Sequence, residues 1–266
     1  MRGLQTPVRA IRRQVFTEVA KLGFKANAET LVADMEAIPY EIVGEDSEVK
    51  YRESIYRARA VVRERLRLAM GLSLRPENKP VHLTAGVEAS NISEKYYEPP
   101  LMQVIPSGCE SCEENKYEVS NVCKGCLAHP CQEVCPRGAI SMVNGKSFID
   151  QDKCIKCGKC KSVCPYDAIA KKERPCKKAC GVNAITSDKL GRAYIDADKC
   201  VSCGMCMVSC PFGAISDKSQ IFQLARALSE GEEIVAEVAP AFVGQFGPNI
   251  NVRNFKAALE ELGFSE

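Results

Sequence analysis

At 266 residues the chain is long enough for two domains or for one domain with appendages, and 45% hydrophobic with 26% charged residues is the balance of a globular protein rather than a disordered one. Lys and Arg number 36 against 34 Asp and Glu, a net charge of +2, and residues 1–100 hold 16 basic and 14 acidic side chains, so even the arginine-rich start is no nucleic-acid arm. No run approaches the roughly 18 uninterrupted apolar residues of a membrane span, and the opening MRGLQTPVRAIRRQ lacks the apolar stretch of a signal peptide; the expectation is a cytoplasmic protein with no membrane span and no nucleic-acid partner.

From Thr6, TPVRAIRRQVFTEVAKLGF opens with a capping residue and a proline at the first helical position, then places Ile11, Val15, Val19 and Leu22 on one face. YRESIYRARAVVRERLRLAMG does the same with Tyr51, Ile55, Ala58, Val62, Leu66 and Ala69. Arg52, Arg59, Arg63 and Arg67 fall largely on the other side, interleaved with Glu53 and Glu64 as on a solvated face, and Gly71 is a stop. Residues 1–72 therefore read as a helical leader. SLRPENKP then breaks the periodicity with two prolines, and residues 73–108, through YYEPPLMQVIPSG, read as an extended strap.

All 16 cysteines lie between Cys109 and Cys210, so they serve one local purpose, and in a reducing compartment such a block means metal rather than disulfides. CIKCGKCKSVCPYDAI carries Cys154, Cys157, Cys160 and Cys164; CVSCGMCMVSCPFGAI carries Cys200, Cys203, Cys206 and Cys210. Both are spaced C-x2-C-x2-C-x3-C-P, the bacterial ferredoxin pattern. Three closely spaced thiolates on a tight loop bind three irons of one 4Fe-4S cube, and the fourth reaches a different cube, so each motif needs a partner motif. Structural zinc, which takes two pairs of ligands, has no use for that spacing.

CKGCLAHPCQEVCPRGAI supplies Cys123, Cys126, Cys131 and Cys135, with two extra residues before the third cysteine, and is the natural partner of the Cys154 motif. The connector CPRGAISMVNGKSFIDQDKC contains a small hairpin at Asn144-Gly145. Residues 123–170 thus read as a compact two-cluster ferredoxin. The stretch CGVNAITSDKLGRAYIDADKC, from Cys180 to Cys200, is the same connector with one extra residue. Cys176 and Cys180 then end a motif paired with the one at Cys200, and the one pair left to open it is Cys109 and Cys112 in SGCESC. One ferredoxin, residues 109–112 plus 174–218, would enclose the other.

Four clusters are expected, held by Cys123, Cys126, Cys131 and Cys164; by Cys154, Cys157, Cys160 and Cys135; by Cys109, Cys112, Cys176 and Cys210; and by Cys200, Cys203, Cys206 and Cys180. With every slot filled by cysteine, His82 and His129 read as non-ligands, and Met205 and Met207 as packing beside the cluster. Residues 101–218 hold 17 basic and 13 acidic side chains, with lysines dense from Lys153 to Lys178. That excess either offsets the charge of the clusters or forms a docking face for an acidic redox partner.

Past the cysteines, SQIFQLARAL reads as a helix with Ile221, Leu224 and Leu228 on a face, EEIVAEVAPAFVGQFG as strand-like, and NVRNFKAALEELGF as an amphipathic helix carrying Phe255, Ala258, Leu259 and Leu262. Residues 219–266 are thus the opening β-α unit of an α/β domain, and a lone strand needs a sheet, so the sequence reads as a fragment or docks elsewhere.

Ferredoxin motifs followed by IVAEVAPAFVGQFGPNINVRNFKAALEELGF resemble the entry into the catalytic domain of iron-only hydrogenases, and TPVRAIRRQVFTEVAKLGF and YYEPPLMQVIPSGCESC resemble the leader of a ferredoxin-rich monomeric subgroup. The resemblance implies the electron-input portion of such an enzyme, with ferredoxin and the remainder of the hydrogenase catalytic domain as partners. An active-site H-cluster for proton reduction or hydrogen oxidation would come with that remainder. The family's T-S-C-C-P and M-P-C-x-x-K motifs have no counterpart here, since no cysteine follows Cys210; no residue of this chain is expected to be catalytic, and alone it should be inactive. The extended third-cysteine spacing and the split motif also resemble the four-cluster subunits of molybdopterin enzymes, which leaves a stand-alone polyferredoxin or an electron-transfer subunit of a larger oxidoreductase complex as the alternative. The expected fold class is α+β: a helical leader, nested bacterial-type two-cluster ferredoxins, and the first β-α unit of a hydrogenase catalytic domain.

Overall fold

The computed structural model describes residues 4–25, 27, 29–45, 52–91 and 99–265; Tyr51 and most of the YYEPP stretch of the strap lie outside them. It divides into two compact units, Met1–Gly108 with Cys200–Glu266, and Cys109–Lys199.

The first unit is built on helices α1 (Pro7–Lys25), α2 (Leu31–Ile42), α3 (Ile55–Ala69) and α9 (Ile221–Glu230), with a single turn, α4, at Val87–Ser90. Thr6 caps α1 by accepting the Arg9 N–H at 3.3 Å. Ile11, Val15, Val19 and Leu22 all turn inward, as their spacing requires, to meet Met35 and Ile38 of α2, Ala58, Val62 and Leu66 of α3 and Phe222 of α9 in one apolar core. α2 has no counterpart in the sequence reading: it is short, and Pro39 sits inside it, a residue that ordinarily marks a break. The buried residues of α9 are Phe222, Gln223, Ala225 and Ala227; of the expected Ile221, Leu224 and Leu228, Ile221 packs half-buried against the core, while Leu224 is 38% exposed. Small residues decide this, because α1 and α9 approach so closely at Gly23 that a Cβ there would lie 2.7 Å from both Ala225 Cβ and the Phe222 carbonyl oxygen.

The arginines of α3 do not form a solvated face. Arg65 and Arg67 are buried. Arg67 donates to the carbonyls of Ser73, Leu83 and Ala85 at 2.9, 2.6 and 2.9 Å, tying down the strap. Arg52 reaches the carbonyls of Gly108 and Phe212 at 3.0 and 2.6 Å, Arg57 reaches Ser107 at 2.8 Å, and Arg65 donates to Gly213. A guanidinium carries five donors, so one side chain satisfies several carbonyls that no helix or strand serves. The end of the strap pairs as β1 (Met102–Val104) antiparallel to β8 (Ile215–Asp217), with Met102 opposite Asp217 and Val104 opposite Ile215.

Residues 232–239 form no strand, contrary to the expected β-α unit. No neighbouring strand offers the run a ladder among the described residues, and Val235 is 64% exposed. The helix after it is present as α10 (Val252–Glu261), capped by the Asn251 side chain accepting the Asn254 N–H at 2.9 Å. Phe255 stacks on Phe242 with ring centroids 4.6 Å apart and touches Phe246, while Leu262 is 54% exposed.

The second unit consists of three antiparallel ribbons and three one-turn helices. The ribbons are β2 (Lys116–Val119) with β5 (Ile169–Lys172), β3 (Ile140–Val143) with β4 (Lys146–Ile149), and β6 (Ile185–Ser187) with β7 (Ala193–Ile195). The helices are α5 (Pro130–Glu133), α6 (Lys159–Ser162) and α7 (Pro175–Lys178); a fourth such helix, α8 (Met205–Ser209), belongs to the first unit. The hairpin expected at Asn144-Gly145 joins β3 to β4, both residues at positive φ, 51° and 74°. Tyr117, Ile140, Ile149 and Ile169 pack with Cys131 and Cys160 into a small core.

Gly23→Val is expected to cost about 1–3 kcal/mol by overpacking the α1–α9 crossing, read as a lowered melting temperature in thermal denaturation. An unchanged melting temperature would mean that the two helices do not meet at Gly23.

Candidate metal centre

Four turns in this chain share one geometry. Each expected fourth cysteine is followed, three residues on, by a residue in the left-handed region: Gly138 after Cys135, Asp167 after Cys164, Asn183 after Cys180 and Gly213 after Cys210, with φ of 56°, 47°, 53° and 60°. That conformation turns the next N–H back onto the sulfur, so Ala139, Ala168, Ala184 and Ala214 donate to Cys135, Cys164, Cys180 and Cys210 Sγ at 3.3, 3.4, 3.2 and 3.4 Å. Each C-x2-C pair repeats as faithfully. Its residue just before the second cysteine is also left-handed: Ser111, Gly125, Lys156 and Ser202, at 46°, 54°, 58° and 54°. Such turns aim successive backbone N–H groups into a concavity, a device that suits anionic sulfur.

The third cysteines sit on the one-turn helices. α6 and α8 open on left-handed Gly158 and Gly204, and α5 on His129, φ 41°, which stands where the other loops carry glycine and is not placed as a ligand. Gly158 is required twice over, since a Cβ there would lie 2.7 Å from the Tyr117 hydroxyl. α7 differs: it is preceded by extended Arg174, φ −66° and ψ 118°, rather than by a loop from a cysteine pair.

Two hollows, each lined by four cysteines, lie in the second unit. Cys135, Cys154, Cys157 and Cys160 line one, with Tyr117 and Ile140. Cys123, Cys126, Cys131 and Cys164 line the other, with Val119 and Ile169. Among the described residues no three metal-binding side chains converge as a single ion requires; the thiols stand around a shared space instead. Four sulfurs about an apolar hollow, with N–H groups turned onto them, is a donor set that fits a 4Fe-4S cube.

The remaining pair, Cys109 and Cys112, is held against the segment that follows β5. Arg174, 4% exposed, donates to the Cys112 carbonyl from Nε at 3.0 Å and from Nη2 at 2.9 Å, and to Gly191 O and Ser187 Oγ at 2.7 and 3.1 Å. Lys177 meets Glu114 at 2.6 Å. The Ala193 N–H, at the start of β7, donates to Cys109 Sγ at 3.4 Å. In the other ribbon the equivalent residue, Ser147 of β4, gives its backbone N–H to Cys123. Cys109 therefore occupies beside β7 the place that Cys123 occupies beside β4. Cys176 and Cys180 lie in this same unit, whereas Cys200, Cys203, Cys206 and Cys210 belong to the first. Nothing in local spacing announces Arg174 or Arg65; each serves carbonyls distant in sequence.

The thiols differ in acidity. Burial pushes Cys206 up to about 11, with Cys200 and Cys203 adding to the rise, and burial raises Cys160, helped by Cys154 and Cys157. Cys123 is held below the ordinary thiol range by the Ser147 N–H.

The 4Fe-4S binding domain family matches residues 148–170 and 193–216. An uncharacterized ferredoxin of Methanocaldococcus jannaschii is 38% identical over 65 residues, 24% of this chain and 39% of that protein. A probable iron-sulfur protein of the Frd operon of Proteus vulgaris is 41% identical over 69 residues, 26% of this chain and 44% of its own length. The electron transport protein HydN of Escherichia coli is 43% identical over 56 residues, 21% and 32% of the two chains. The chain spans less than half the length of each of these relatives, and none of the three is named a hydrogenase. It carries bacterial-type 4Fe-4S ferredoxin domains.

Because only thiolate binds iron, a cluster bound through Cys160 or Cys206 would have to remove a proton that each holds more tightly than an ordinary thiol. Reconstitution of the cluster-free chain with iron and sulfide is expected to speed up severalfold from about pH 7 to about pH 9, followed by visible absorbance. A pH-independent rate would show that deprotonation of the buried thiols does not limit assembly.

Proposed function

We propose that the chain is an electron-transfer subunit of a larger redox assembly, its sixteen cysteines holding four 4Fe-4S clusters in two nested two-cluster ferredoxins. The sets are Cys123, Cys126, Cys131 and Cys164; Cys154, Cys157, Cys160 and Cys135; Cys109, Cys112, Cys176 and Cys210; and Cys200, Cys203, Cys206 and Cys180. The observation that carries the reading is the fourfold turn, in which the N–H of the fourth residue past Cys135, Cys164, Cys180 and Cys210 donates to the cysteine sulfur. The shared backbone role of Ala193 and Ser147 supports the nesting, as do the similar electron-transport proteins.

Bound 4Fe-4S clusters supply low-potential one-electron chemistry. The protein's part is to fix the thiolates, to turn N–H dipoles toward sulfur, which favours the more negatively charged reduced state, and to line the two hollows of the second unit with Ile, Val and Tyr side chains that limit water. No side chain is assigned a catalytic role.

The finer reading, that the assembly is an iron-only hydrogenase and this chain its electron-input portion, rests on the resemblance of residues 234–264 and on α10, whose apolar face is covered only in part by Phe242 and Phe246. The unpaired run 232–239 leaves this as the second reading.

Two measurements decide. Cys109→Ser and Cys176→Ser are expected to perturb the same cluster signal in electron paramagnetic resonance and Cys123→Ser a different one; matching signals for Cys109→Ser and Cys123→Ser would sink the nesting. For the second reading, the source DNA past the codon for Glu266 is expected to continue in frame into the T-S-C-C-P and M-P-C-x-x-K motifs, and a stop codon there would leave only the first reading.

A further inference from the structure

The repeat provides an internal control on surface charge. The Cys154 and Cys200 loops share cysteine spacing, a left-handed residue before the second cysteine, and a glycine opening the one-turn helix. Lys153 and Lys199 hold the same position and pair with the aspartate three residues before, Asp150 at 3.4 Å and Asp196 at 2.7 Å. Between the cysteines the loops diverge. One carries Ile155, Lys156, Lys159 and Lys161; the other carries Val201, Ser202, Met205 and Met207. A loop of identical construction needs no such lysines, so offsetting thiolate charge does not explain them.

Five other lysines of the same unit have carboxylate partners, whereas Lys124, Lys146 and Lys189, which lie outside this loop, enter no ion pair among the described residues. Lys171 and Lys178 share Glu173, whose carboxyl they hold down at about 2, Lys177 pairs with Glu114, and Lys116 and Lys172 with Glu118. Lys156, Lys159 and Lys161 are exposed, and among the described residues their side chains enter no ion pair. They share their loop with Ile155, 57% exposed, and with Cys157, which is exposed where Cys160 is buried. An exposed apolar residue among unpaired like charges is the composition of a transient interface: the charges steer, and the apolar residue supplies contact area.

We propose that the Cys154–Cys164 loop is the docking surface for a soluble acidic redox protein, which sets carboxylates on Lys156, Lys159 and Lys161 and an apolar residue on Ile155, beside the Cys157 edge of the site. This rests on the electron-transfer reading above. The charge pattern selects the partner, since three unpaired cations confined to one of two otherwise matching loops complement a compact acidic patch.

The test uses the full chain with its clusters and, as probe, a reduced acidic bacterial ferredoxin. Lys156→Ser, Lys159→Met and Lys161→Met together copy the sister loop, a sequence already compatible with this turn. The wild-type rate constant with the probe is expected to fall steeply with added salt, and the triple variant to lose about tenfold or more at low salt with little salt dependence left. Titration calorimetry is expected to show a correspondingly weaker complex. Reduction of the Lys159→Met/Lys161→Met double variant by photoreduced deazaflavin, small and uncharged, should not change. A salt-insensitive wild-type rate, or a variant as fast and as tightly bound as the wild type, would overturn the docking surface. So would lysine-dependent binding to phosphatidylserine vesicles without lysine-dependent binding to the probe. Should the triple variant lose iron, the single variant Lys159→Gln and the wild-type salt dependence decide in the same way. A wild-type chain that deazaflavin cannot reduce would instead sink the electron-transfer reading itself.

Discussion

The backbone N–H turned onto a cysteine sulfur is the contact on which the rest of this architecture depends. It requires a left-handed residue one place before the donor, and the chain meets that requirement four times with four choices, Gly138, Asp167, Asn183 and Gly213. Glycine, asparagine and aspartate are the residues that tolerate this region at least cost. Once the turn is set, the isoleucine just past the donor starts a strand: Ile140, Ile169, Ile185 and Ile215 open β3, β5, β6 and β8. Each strand then finds an antiparallel neighbour, so sulfur geometry and ribbon pairing are fixed by the same few residues.

The helical leader is tied to this scheme through arginine. Burying Arg65 at 2% exposure would be costly for an unsatisfied cation, but the guanidinium meets the carbonyl of Gly213, the residue whose left-handed turn presents Ala214 to Cys210. Arg52 takes the carbonyl one place earlier, at Phe212. The leader thereby braces the turn between Cys210 and β8, which a merely solvated arginine face would not do.

Much of this was legible from cysteine spacing and much was not. The motifs, the Asn144-Gly145 hairpin and the faces of α1 and α3 follow from short-range pattern, because each is set by neighbours within a turn or two. The repeated connector pointed to β6 and β7 as the counterparts of β3 and β4, and the Ala193 N–H reaches Cys109 as the Ser147 N–H reaches Cys123. What escaped were features set by distant partners: the clamp of Arg174 on Cys112, the arginines of α3, the face of α9 chosen by the close approach at Gly23. The run 232–239 has strand composition but no ladder to join, and composition alone does not make a strand.

The ribbon pairings also impose an order of events. β2 and β5 bracket a segment whose contacts are complete once Lys172 has been made, and Ser120 already donates to Ala168 at 2.7 Å. β1 waits for β8, with Ile105 donating to Ala214 at 2.7 Å across a much longer loop. Closing the longer loop costs more chain entropy, and during synthesis its second strand emerges last. In the proposed nesting the Cys109–Cys112 pair leaves the ribosome before any of its partners, and its thiols would stay open to solvent and oxidant until residues 116–172 have paired behind them.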